Sequence, residues 1–252
     1  MKRIVLMYHC VYNVHERESG LQFVGSMPYK VNSRLFEEHV RTVSDYLDAH
    51  SLPKTSVEFT FDDGGVSFYS VIAPILEKYG FKGVFCISTS FIGVDKFLTQ
   101  EHIHDLFQRG HVIASHTHTH SKNLARIEWK EVFCEWKTSC EILNDIIGES
   151  IVVASIPHGN INKKVIDAAY ISGIKRLYTS EPTTTVRDYK GMKIIGRYVV
   201  HKDTTTQDIL KVLTSPSYRF RRIMRRRVIG LLKVCLGENY RVAKNYILKK
   251  SR

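Results

Sequence analysis

The 252-residue chain has no stretch approaching the ~20 consecutive apolar residues of a membrane-spanning helix. Its first apolar run, Ile4 to Met7, is interrupted by Tyr8 and His9. That is too short for the core of an export signal, about 7–15 apolar residues. Cysteine is scarce and scattered: Cys10, Cys86, Cys134, Cys140 and Cys235 form no Cys-x-x-Cys pair. An odd, dispersed set argues against a disulfide framework and for reduced thiols. These absences together lead to the expectation of a cytoplasmic protein that does not cross a membrane. Internal repeats and low-complexity linkers are also absent.

Acidic residues nearly vanish after residue 210. Residues 211–252 hold thirteen basic side chains and one acid, Glu238, and so carry the whole net charge of +12. Residues 1–210 are neutral overall and are expected to form one domain, with 211–252 a basic amphipathic helical extension. Within it Phe220, Ile223, Met224, Val228, Leu231, Leu232 and Cys235 recur at helical spacing among arginines. Such a helix can pack on the domain with its basic face in solvent. It can lie on an anionic membrane or meet a lipid-linked phosphate. No base-reading motif or aromatic platform accompanies the charge, so no nucleic-acid partner is expected.

What is present is a regular alternation of strand and helix patterns. Strands are expected at 3–8, 57–61, 83–88, 111–115 and 152–156, near 176–179, and at 194–200. Helices are expected at 33–48, 69–79, 99–109, 129–147 and 163–172. Ser33 is a candidate cap, and Gly80, Gly110, Gly148 and Gly173 are candidate stops. Trp129 and Trp136 fall in one of the helices and read as packing residues. Repeated β–α units imply an α/β fold with a parallel sheet, and an apolar fraction of 43% is ordinary for a globular chain. Periodicity alone does not separate a barrel from an open doubly wound sheet.

Two of these strands end in chemistry. Thr60-Phe61-Asp62-Asp63-Gly64 closes one, and His116-Thr117-His118-Thr119-His120 follows another. Asp63, His116 and His120 offer the oxygen and nitrogen donors of a catalytic divalent metal, most readily zinc, with Co²⁺, Mn²⁺ or Ni²⁺ as substitutes. Asp62 remains as a candidate base. Neighbours on a regular strand point to opposite faces, so Gly64 and Gly65 are expected to let the chain turn and bring both aspartates to one centre.

On these motifs the chain resembles the polysaccharide deacetylases of the NodB-homology type, carbohydrate esterase family 4, over roughly residues 1–210. The resemblance implies an irregular (β/α) barrel, often seven-stranded. It also implies Asp62 as general base, with Asp63, His116 and His120 as metal ligands. Ile156-Pro157-His158-Gly159-Asn160 is similar to the third motif, in which the His158 backbone amide would help bind the oxyanion. The family commonly carries a base-orienting arginine two places before that proline, where this chain has Ser155. No tryptophan-bearing fourth motif is evident. His201 is the candidate general acid, with His9 and His118 as alternatives. The implied activity is metal-dependent removal of an acetyl, or alternatively a formyl, group from an amino sugar. A nucleotide- or lipid-linked intermediate of surface-polysaccharide synthesis is the expected substrate. A non-catalytic carbohydrate-binding protein on the same fold and an unrelated metal hydrolase such as a phosphoesterase stay open.

Overall fold

The structure is a computed structural model that describes the backbone of residues 3–236 and the side chains up to residue 231. Residues 237–252 of the basic extension lie outside the described residues, as do the side chains of Leu232 and Cys235. The element order begins with β1 (Ile4–Tyr8), two short strands β2 (Val11–Tyr12) and β3 (Val31–Asn32), and α1 (Ser33–Ala49). β4 (Val57–Phe61), α2 (Ala73–Lys78), β5 (Gly83–Ile87), α3 (Gln100–Gln108) and β6 (Val112–Ser115) follow. Then come α4 (Trp129–Ile147), β7 (Val153–Ser155), α5 (Lys163–Ile171) and β8 (Arg176–Tyr178). The chain continues through β9 (Val186–Tyr189), β10 (Met192–Ile195), β11 (Tyr198–Val199), α6 (Thr206–Thr214) and α7 (Pro216–Leu236).

The main sheet runs β11-β1-β4-β5-β6-β7-β8-β10-β9, parallel throughout except for the antiparallel β9 edge. β10 and β11 lie towards opposite ends of this order, yet only Gly196 and Arg197 separate them in sequence. Three residue steps reach about 11 Å at most, so the sheet has to curl until its ends nearly meet. It therefore forms an irregular barrel that is closed at one point by the chain itself. The single strand expected over 194–200 is this interrupted pair; counted as one stave, it makes seven with β1, β4, β5, β6, β7 and β8. Gly196 permits the crossing, because a Cβ there would lie 2.4 Å from the Glu181 carbonyl oxygen.

Period-two alternation sorts the side chains. On β4, Val57, Phe59 and Phe61 join the core between sheet and helices, and Glu58 and Thr60 face the barrel interior. Val5, Val84, Cys86, Ala114, Val153, Tyr178 and Ile195 line that interior. Glu58 closes its lower end, accepting from Tyr178 Oη at 2.5 Å and Arg3 at 2.9 Å. Alternation therefore aims the next residue inward beyond Thr60, Asp62, at the upper rim.

Several boundaries differ from expectation. Asn32, not Ser33, caps α1, its Oδ1 accepting from the Arg34 amide at 3.0 Å. The helix expected from residue 69 begins as a π-turn segment, Phe68–Ile72, ahead of α2, whose Pro74 supplies no N–H to the helical ladder. Trp136 is buried as expected. Trp129 is not: it is 43% exposed and stacks on Phe133. Residue 210 falls within α6, which buries Ile209, Val212 and Leu213 and packs on α1. Its Thr205–Asp208 capping box was not anticipated from the sequence.

Two histidines are locked in the neutral form by this packing. His39 Nδ1 accepts from Tyr8 Oη at 3.2 Å while Nε2 donates to the Thr204 carbonyl at 3.0 Å. His111 Nδ1 accepts from the Gly83 amide at 3.0 Å while Nε2 donates to Glu77 at 3.0 Å. Burial lowers both to about 4 against these partners. An unfolded histidine titrates near 6.5. Their neutral forms therefore contribute fully above about pH 6.5, and the contribution is lost as pH falls from there towards 4. Urea unfolding at pH 7 and pH 5 should reveal that loss, and it should be smaller in His111→Asn, which keeps an acceptor for Gly83. An equal loss in wild type and variant would contradict this assignment.

Candidate active site

The site lies at the C-terminal ends of β4, β6 and β7, where a barrel offers its strand ends to a ligand. Asp63 Oδ1 is 3.6 Å from His116 Nε2 and 3.2 Å from His120 Nε2. One ligand atom from each of the three lies within 4.8 Å of the others. The contacts behind these side chains fit the same use. His116 Nδ1 is 3.0 Å from the Ser155 carbonyl, to which it donates, and 2.6 Å from Ser155 Oγ. That tautomer leaves the Nε2 lone pair free and directed at Asp63. The donor set therefore fits a divalent cation. Asp63 is 4% exposed; burial raises its pKa, but the surrounding imidazoles of His116 and His120, the latter at 3.2 Å, overrule this and hold it well below the usual range.

The turn that brings both aspartates together starts one residue earlier than expected, at Asp63 itself, with φ +91° and Gly64 following at +96°. Thr117, His120 and His158 are also left-handed, so four of the seven non-glycine residues with positive φ among the described residues belong to these loops. Each such residue costs roughly 1–3 kcal/mol and persists because surrounding contacts hold it. Glu135 supplies one of those contacts: its carboxylate accepts from the His118 and Thr119 amides at 2.9 and 2.8 Å.

Asp62 is 3% exposed and meets an arginine that the motif reading did not select. Arg197, fully buried in the β10–β11 crossing, donates from Nη1 and Nη2 to the two Asp62 oxygens, each at 2.7 Å. It also donates to Thr60 Oγ1 and to the Thr179 carbonyl, both at 3.1 Å. Burial alone would raise the Asp62 pKa, but the Arg197 charge and its guanidinium hydrogen bonds hold it well below the usual carboxylate range. Ser155, where an arginine was expected, donates from Oγ to Asp62 Oδ1 at 3.1 Å and so links it to His116. An arginine standing inside an otherwise apolar strand run was the available signal for Arg197.

The histidines separate by position. His158 lies beside His120, with ring centroids 4.5 Å apart and the rings tilted by 52°, and burial and the neighbouring imidazoles lower it to about 4. Its amide follows Pro157 at the start of a short 3₁₀ turn, where N–H groups have no partner within the turn. His9 is half-buried near Asp63, Asp62, His116 and Arg197, and its Nδ1 has no partner among the described residues. Burial lowers its pKa despite the carboxylates. His201 lies farther out, separated from His9 by Tyr29, with burial lowering its pKa against Asp203 and alongside Arg222. His118 turns away and pairs with Thr89 Oγ1 at 2.9 Å. His9, His158 and His201 line one cavity of about 1000 Å³ with Asp62, Asp63, His116 and His120.

A sequence profile described as polysaccharide deacetylase matches residues 49–177, which include both aspartates, the histidine cluster and the third-motif loop. The chain belongs to the polysaccharide deacetylase family. A curated relative, YxkH from Bacillus subtilis (strain 168), is 26% identical over 212 residues, or 79% of this chain and 69% of the relative. The Streptococcus pyogenes deacetylase PplD, solved with acetate, aligns with TM-score 0.69 at 22% identity, covering 84% of this chain and 98% of that one. A de-N-acetylase from Aggregatibacter actinomycetemcomitans aligns with TM-score 0.67 at 22% identity, covering 83% and 99%. At these identities the structural matches establish a shared fold. Within this polysaccharide deacetylase fold, the chain pins Asp62 from the β10–β11 crossing.

Removing one partner of a buried ion pair leaves an uncompensated charge and costs about 3–5 kcal/mol. Arg197→Met should therefore be destabilised by that order in urea unfolding. The Arg197→Met/Asp62→Asn double variant should recover part of the loss, giving a coupling energy well above that of unrelated sites. Additive effects of the two substitutions would contradict the pairing.

Proposed function

We propose that this polysaccharide deacetylase is a metal-dependent hydrolase that removes the N-acetyl group from an amino sugar. Its substrate would be a nucleotide- or lipid-linked intermediate of surface-polysaccharide synthesis. The observation carrying this reading is the Asp62–Arg197 pair standing beside the Asp63, His116 and His120 donors in one cavity. Asp63, His116 and His120 would hold the ion, zinc before Co²⁺, Mn²⁺ or Ni²⁺. When bound, it supplies Lewis-acid polarisation of the amide carbonyl and lowers the pKa of water towards neutrality. Asp62, ionised and aimed by Arg197, takes the proton of the attacking water as the water oxygen bonds to the carbonyl carbon. The His158 amide donates to the developing oxyanion. His9, in its protonated imidazolium form, donates a proton to the leaving nitrogen as the C–N bond breaks and returns to neutral imidazole, yielding acetate and the free amine.

His9 is preferred to His201 as this acid because it alone lies among the carboxylates and ligands of the centre. The pairing of His118 with Thr89 disfavours it for the role. Among the described side chains the cysteines Cys10, Cys86, Cys134 and Cys140 are free thiols, which suits a reducing cytoplasm. No helix among the described residues is long and apolar enough to cross a membrane. Phe220, Met224, Val228 and Leu231 are exposed along one stripe of α7, which supports peripheral contact with an anionic membrane surface.

Elemental analysis and acetate release from an N-acetylated amino-sugar oligomer test the assignments together. His116→Ala and His120→Ala should lose bound metal. Asp62→Asn should keep it and lose about 10²-fold or more in turnover. Wild-type metal content in both histidine variants, or normal turnover in Asp62→Asn, would contradict the scheme. His9→Gln should lower kcat by a similar factor of about 10² or more, and His201→Gln by much less; the reverse order would return the acid role to His201.

A further inference from the structure

The final helix is turned opposite to an ordinary surface helix. Tyr218, Arg221, Arg222, Arg225, Arg226 and Ile229 of α7 line the active-site cavity. Phe220, Met224, Val228 and Leu231 instead point away, 61%, 40%, 50% and 66% exposed. Packing through the apolar face, one of the arrangements the sequence allowed, is therefore not what this helix does. Its basic face forms a wall of the same cavity that holds Asp62 and His120.

Two of these arginines are fixed by backbone carbonyls, which orient a guanidinium without neutralising it. Arg222 Nη2 donates to the Val199 carbonyl at 2.6 Å. Arg226 donates to the Ser180 carbonyl at 2.7 Å and to Ser180 Oγ at 3.2 Å. Gly159, next to the candidate oxyanion amide, admits Arg226: a Cβ there would lie 3.2 Å from Arg226 Nη2. The neighbouring acids are engaged elsewhere. Asp62 pairs with Arg197, Glu181 with Arg187, and Asp208 accepts from Thr205 and Tyr218. Asp63 faces His116 and His120, which leaves Asp203 as the remaining carboxylate among the described residues lining this cavity. Several guanidiniums gathered with so little compensating charge repel one another, and an anion between them relieves that repulsion. Their planar forks match phosphate oxygens.

We propose that Arg222, Arg225 and Arg226 form a phosphate-recognition subsite, so that the N-acetylated sugar enters as a phosphate or pyrophosphate ester. This rests on the deacetylase reading and names the chemistry of the substrate's far end. The acetamido group lies at the Asp62 and His158 end, and the phosphate against α7. A lipid pyrophosphate and a nucleoside diphosphate present the same anion.

The test is calorimetric titration of the metal-loaded protein with N-acetylglucosamine and N-acetylglucosamine-1-phosphate. Wild type should bind the phosphorylated sugar roughly 10-fold or more tighter, the usual order for hydrogen bonds to a charged group. That preference should collapse in Arg225→Gln/Arg226→Gln and return in part in Arg225→Lys/Arg226→Lys. UDP-N-acetylglucosamine and farnesyl-pyrophosphoryl-N-acetylglucosamine identify the source of the phosphate, and a preference for either that depends on these arginines supports the subsite. Wild type without preference for any phosphorylated sugar, or a glutamine variant that keeps the preference, overturns it. Acetate is measured in the same samples. Anion preference without acetate from any of these sugars would sink the deacetylase reading and leave the subsite; acetate release without anion preference would do the opposite.

Discussion

The buried pair between Asp62 and Arg197 is the contact on which the rest of the site depends. Both side chains are essentially solvent-free, and their two parallel hydrogen bonds measure 2.7 Å each. Neither charge could be buried there alone at acceptable cost. Arg197 also sits in the two-residue crossing that brings β10 and β11 together, and it reaches Thr60 on β4 and the carbonyl of Thr179 just after β8. Closing the barrel and ionising the candidate base are thus accomplished by one side chain. A depressed Asp62 pKa follows from the architecture and keeps that carboxylate charged across the physiological range.

Around this pair, backbone strain and hydrogen bonding fix the neighbouring groups. Asp63, His120 and His158 all adopt left-handed conformations, and the Glu135 carboxylate anchors the histidine loop through two amides. Ser155 couples His116 to Asp62, so a ligand of the candidate metal centre and the candidate base share one hydroxyl. Such pre-organisation suits a reaction in which charge develops on an oxygen and must meet donors already in place.

Much of this was legible in the sequence. The β–α alternation, the two aspartates at the end of β4 and the histidines after β6 were readable because short motifs report local geometry. Arg197 was not, because its partner lies 135 residues away and only the barrel's curvature joins them. Its expected counterpart was sought at Ser155, on a strand whose inner face points at the same carboxylate. Helical spacing also revealed the α7 stripe without saying which face turns inward; the arginines do. β9 and α6 escaped for a related reason: β9 is an exposed edge, and α6 straddles the change in charge that marked residue 210.

The most direct test of the account is a crystal structure of the zinc-loaded protein soaked with acetate, with anomalous data at the zinc edge. The account predicts one zinc peak among Asp63, His116 and His120. It also predicts acetate within hydrogen-bond reach of the His158 amide, and Asp62 still held by Arg197 and outside the ion's ligands. Zinc bound elsewhere, or Asp62 released from Arg197 to coordinate the ion, would contradict it.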